Sequence, residues 1–154
     1  MNYWLMKSEP SEFGIDDLKA CEDRVTHWDG VRNYQARNFM RDGMKKGDLA
    51  FFYHSNCEHP GIVGMMRVHR EAYPDHTAFD CNDKHFDPKS NPDNPRWMMV
   101  DVKYVRKLKN TIELAELKGF GEGELKDFPL LRKGNRLSIM PVTKQQWEFI
   151  LSLA

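Results

Sequence analysis

Asp48–Asn56 reads DLAFFYHSN, and its alternation decides how the rest of the chain is read. Successive side chains of a strand point to opposite faces. Phe51, Tyr53 and Ser55 therefore share one face, and Phe52, His54 and Asn56 share the other. Working outward, GIVGMMRVHREAY (61–73) and RWMMVDVKYVRKL (96–108) read as further strands, as do NYWLMK (2–7) near the start and RLSIMPV (136–142) near the end. Residues 73–97 between two of these strands are rich in Pro, Asp and Asn, and read mostly as loop.

Helical spacing is found only in short pieces. IDDLKAC (15–21) follows Pro10 and Ser11, and ELAEL (113–117) is a short candidate. Residues 33–44 place Ala36, Phe39, Met40 and Met44 at helical intervals behind Asn33, a suitable N-cap. Gly47 in KKGD (45–48) closes that helix in a left-handed conformation. Thr143, with Gln146 three residues on, predicts a capping box for a last helix with Trp147, Ile150 and Leu151 on its apolar face. Strands dominate, helices decorate, and the connections are too irregular for repeated βαβ units. The expectation is an α+β fold: a small, partly open β-barrel or curled mixed sheet with peripheral helices, forming one domain over residues 1–154.

Composition narrows the function classes. The chain has 154 residues, 40% hydrophobic and 30% charged, as expected of a globular protein. It contains no long apolar run for a membrane span and no secretory signal. Its three cysteines, Cys21, Cys57 and Cys81, suit a reducing compartment. A cytoplasmic monomer, free or nucleoid-associated, is the expectation. Net charge is zero, so a polyanion site must be regional. Residues 24–46 carry six Lys or Arg against two Asp, and residues 96–109 carry five against one.

HWDGVRNYQARNFMRD (27–42) concentrates aromatic and cationic side chains. Trp28 precedes an Asp-Gly turn, where one indole face could stack on a base for about 1–3 kcal/mol or could instead cap the core. Trp97 carries the same alternatives, while Trp4 and Trp147 sit inside regular elements and read as core. Asn33, Ser55 and Asn56 could read the polar edge of a base, or serve as ordinary capping residues. Arg37, Arg41 and Lys45 at four-residue intervals form a ridge suited to phosphate or to solvent. His54, Cys57 and His59 match no common zinc spacing, and no Gly-rich phosphate loop, nucleophile elbow or HExxH occurs, so neither metal nor cofactor is expected.

WLMKSEP (4–10), GVRNYQARNFMR (30–41), FFYHSN (51–56), EAYPD (71–75), FDPKS (86–90), PRW (95–97) and RLSIMPV (136–142) together resemble the EVE domain family, in order and over nearly the whole chain. The resemblance implies a PUA-like fold akin to YTH and ASCH domains. It also implies a reader of modified DNA or RNA, or of a free modified nucleotide, that takes a flipped-out base into an aromatic-walled pocket. Carried onto this sequence, it puts Lys7, Ser8, Trp28, Asn33, Tyr34, Ser55, Asn56 and Trp97 at the base pocket. Arg32, Arg37 and Arg41 would be phosphate contacts. Filling a gap with one methyl is worth about 0.8 kcal/mol, enough for several-fold discrimination. Two rivals remain: an enzyme on the extruded base using Lys7, Asp29 or His54, and an adaptor whose arginines dock an acidic protein.

Overall fold

The computed structural model describes residues 1–154. Six strands, β1 (Tyr3–Ser8), β2 (Val25–Trp28), β3 (Leu49–His54), β4 (Gly61–Pro74), β5 (Met98–Glu113) and β6 (Ile139–Val142), form one mixed sheet in the order β2-β5-β4-β3-β1-β6. Only β1 and β3 run parallel, in register from Tyr3 opposite Leu49 to Ser8 opposite His54. Irregularities at Phe52/Tyr53 and at four places along β4–β5 curl the sheet. The two end strands, β2 and β6, do not meet, so of the two expected forms the curled mixed sheet is the one observed and the barrel is not formed.

Helices α1 (Ile15–Ala20), α2 (Tyr34–Asn38), α3 (Leu114–Lys118) and α4 (Lys144–Ser152) cover the sheet. The alternation in β3 then assigns its residues to two cores. Phe52 joins Trp4, Ile15, Trp28 and Met40 on one face. Phe51 and Tyr53 join Leu5, Phe128, Trp147 and Ile150 on the other. Trp147 stacks on Phe51 at 3.8 Å between ring centres, and Trp4 Nε1 donates to the buried Asp48 carboxylate at 3.1 Å. Both tryptophans are core, as their positions in the sequence imply.

Asn33 caps α2, its side chain accepting from Ala36 N at 2.9 Å, and Thr143 and Gln146 form the expected capping box on α4. Gly47 has φ +96. The helix expected over 33–44 runs from Tyr34 to Gly43 but changes type partway, α-helical over Tyr34–Asn38 and then a wider π-turn over Phe39–Gly43. Arg37, Arg41 and Lys45 therefore form no continuous ridge, and Arg41 pairs with its neighbour Asp42 at 2.9 Å. Strand β2, unassigned in the sequence, is short and carries no clear alternation; its pairing with Lys103–Val100 of β5 makes it a strand. No helix is long and apolar enough to cross a membrane.

Candidate functional site

The strands β1, β2 and β3 end around one cleft of about 1560 Å³. Lys7 and Ser8 come from the end of β1, and Ser55 and Asn56 from the exit of β3. These two exits are tied together, because Ser55 N donates to Ser8 O at 3.0 Å and Asn56 Nδ2 to Glu9 at 3.2 Å. Ser8 Oγ closes the turn after β1 by donating to Phe13 O at 2.6 Å. Lys7 N donates to Ser138 O at 2.8 Å, which brings Arg136 and Ser138 to the same wall. Phe13, Trp28 and Val31 supply the apolar surface, while Thr26, His27 and Asp29 continue it from β2 and its following turn.

Asp75 is the buried anchor of the opposite wall. Its carboxylate accepts from Gly30 N at 2.8 Å, from Arg32 Nη1 at 3.0 Å, and from Thr77 N and Oγ1 at 2.9 and 2.6 Å. Burial alone would raise its pKa, but the hydrogen bonds from Thr77, Gly30 and Arg32 outweigh it and hold the carboxyl below its ordinary value. Arg32 also donates to His85 O at 3.0 and 2.7 Å, to Thr77 Oγ1 and to Val31 O. All five of its N–H groups thus have acceptors inside the protein. The His85 ring lies where a side chain at residue 30 would be: a Cβ on Gly30, which has φ +77, would come within 2.6 Å of it. Residues 82–85 are thereby fixed against the turn that follows Trp28.

The cleft gathers six of the residues singled out in the sequence: Lys7, Ser8, Trp28, Arg32, Ser55 and Asn56. Asn33, Tyr34, Trp97, Arg37 and Arg41 lie outside it. Trp28 is 7% exposed and meets Phe52 edge-on at 5.4 Å, so it serves as both core and cleft floor. Tyr34 and Trp97 stack at 4.8 Å, with Arg37 over the Tyr34 ring and Arg32 over the Trp97 ring, forming a column beside the cleft. Trp97 Nε1 donates to Asp87 at 2.7 Å and lowers the pKa of that carboxyl. Arg37 donates to Asn38 and to Arg96 O.

Lys7 is half-buried over the Tyr53 ring, has no carboxylate partner, and has its pKa lowered by burial. Tyr53 itself is pushed up to about 12, again mainly by burial. His54 accepts from Ile15 N at 3.1 Å and so fixes the start of α1, with burial lowering its pKa. His59 pairs with Glu113, and no group of three His, Cys, Asp or Glu side chains could hold a metal ion. The sequence reading missed Lys84, His85, Arg136 and Ser138. The first two lie in a loop without periodicity, and the last two reach the cleft only through the β1–β6 pairing.

Comparison with known proteins places this architecture. The EVE domain family matches residues 2–153. Human thymocyte nuclear protein 1 is 52% identical, with 99% of this chain and 73% of the human protein covered. A protein from Schizosaccharomyces pombe is 41% identical over 99% of this chain and 68% of its own length. Among solved structures, human thymocyte nuclear protein 1 in complex with 5-methylcytosine-containing DNA superposes with a TM-score of 0.95 at 52% identity, covering 99% of this chain and 97% of that one. A Pseudomonas syringae protein superposes with a TM-score of 0.92 at 48% identity, covering 98% of each chain. The open curled sheet is consistent with the PUA-like class, and the chain belongs to the EVE domain family.

Proposed function

We propose that this chain is a reader of modified nucleic acid that captures one extruded base, 5-methylcytosine in DNA being the first to test. The observation that carries the reading is the human relative bound to 5-methylcytosine-containing DNA, similar at 52% identity over 99% of this chain. The cleft supports it chemically. Trp28 offers an apolar floor for a base, Lys7, Ser55, Asn56 and Ser138 offer donors and acceptors for its edge, and Arg136 is an exposed cation without a carboxylate partner. The Tyr34–Trp97 column, joined to the cleft through Arg32, serves the flanking strand, with Arg37 and Arg41 toward its phosphates. Extrusion costs a few kcal/mol, and stacking plus edge hydrogen bonds return it.

The test is fluorescence anisotropy with labelled twelve-residue strands carrying cytosine or one 5-methylcytosine. The strands are single- and double-stranded DNA and RNA of the same sequence, at two salt concentrations, with free 5-methyldeoxycytidine as competitor. A several-fold preference for the methylated strand that narrows in Trp28→Phe is the expected result. Equal affinity for every strand, or no binding to any, overturns the reading.

A further inference from the structure

The four cations that line the cleft are matched by four carboxylates, so its formal charge is zero although its proposed ligand is a polyanion. The cations divide into three kinds. Arg32 is consumed by Asp75, Thr77 and backbone carbonyls. Lys7 and Arg136 have no carboxylate partner within ion-pair distance. Lys84 is paired with Glu12, a residue 72 positions away on the turn that follows β1. The pair thus joins two walls of the cleft at its rim, where both side chains are more than half exposed. The backbone on the Lys84 side is fixed by Arg32 on His85 O and by the His85 ring over Gly30, so the lysine side chain is the part free to turn.

We propose that Lys84 is a phosphate ligand of the cleft held in reserve by Glu12, and that nucleic acid binds by exchanging the Glu12 carboxylate for a strand phosphate. This rests on the reader assignment above. An exposed ion pair in water holds weakly and is screened by salt, so a phosphate displaces it readily. The pair lowers the attraction of the empty cleft for polyanions in general without blocking it, so more of the selectivity is left to the base.

The experiment is a double-mutant cycle on affinity for the single-stranded 5-methylcytosine twelve-mer, using Glu12→Gln, Lys84→Met and both together. Each variant's melting temperature is measured alongside to confirm folding. Glu12→Gln is expected to bind about three- to tenfold tighter at low salt, with the gain gone near 0.5 M salt. Lys84→Met is expected to bind several-fold more weakly, and the double variant to match Lys84→Met. If Glu12→Gln keeps its full gain in the Lys84→Met background, Glu12 acts by general repulsion and the exchange is overturned. If wild type binds the strand but both single variants match it, the exchange fails while the reader assignment stands. If wild type binds no strand at all, the reader assignment fails and takes the exchange with it.

Discussion

Arg32 Nη1 lies 3.0 Å from the carboxylate of Asp75, whose side chain is wholly buried. This pair and its hydrogen bonds join the turn after Trp28 to the loop that carries His85. Removing one member of a buried charge pair leaves the other uncompensated, at about 3–5 kcal/mol. The guanidinium here keeps some solvent contact, so Asp75→Ala is expected to cost toward the lower end of that range in urea denaturation. Hydrogen exchange at residues 82–85 should accelerate more than at β3.

The same carboxyl sets a dependence on pH. Its folded pKa is below the ordinary value of 3.8, so the unfolded chain binds its proton first as pH falls. The stability it contributes is complete above that value and is lost as pH drops through the folded pKa. Asp75→Asn should therefore flatten the stability profile below about pH 4. A variant with the acid slope of wild type would show that the pair does not govern acid stability.

Gly30→Ala tests the His85 seat. A left-handed backbone is costly for a residue with a Cβ, by about 1–2 kcal/mol, and the Cβ would also strike the imidazole. The variant is expected to lose at least that much stability and to shift the His85 ring resonances in NMR spectra, with those of His59 unmoved.

How much of this was legible beforehand varies with the range of the interaction. The cap at Asn33, the capping box at Thr143 and the two faces of β3 depend on residues a few positions apart, and local chemistry showed them. Arg32 was different. An arginine beside an aromatic run looks like a phosphate ligand until Asp75 is brought to it from 43 residues away. Strand β2 was hidden because four residues carry too little pattern, and the pairing with β5 decides their state. The choice between a partly open barrel and a curled sheet stayed undecided for a related reason: strand lengths do not say whether the two end strands meet. The cleft was half visible, since motifs at the ends of β1 and β3 are contiguous in sequence, while the Lys84 and Arg136 walls assemble only in three dimensions.

Trp28 must be probed by a change that keeps the core. It is 7% exposed and packs against Phe52, so Trp28→Ala would remove about 3–5 kcal/mol and confound any binding result. Trp28→Phe preserves an aromatic ring and should cost less than half of that in thermal or urea denaturation. Unfolding of Trp28→Phe at ambient temperature would show that the indole is needed chiefly for the core.

Lys7 should show stability and binding moving in opposite directions. Burial lowers its pKa, so the folded protein disfavours the charged form that neutral solution imposes. Between the lowered pKa and the ordinary value of 10.5 the unfolded chain binds more proton, so wild-type stability from this group rises with pH. Lys7→Met, which keeps the stem and does not titrate, is expected to be as stable as wild type or more so at pH 7. Its advantage should shrink as pH approaches about 10.5. Over the same substitution, affinity for the 5-methylcytosine strand should fall several-fold, because Lys7 is a cation of the cleft without a carboxylate partner. A Lys7→Met variant that loses stability at pH 7 yet binds normally would mean the ammonium is held for the fold rather than for a ligand.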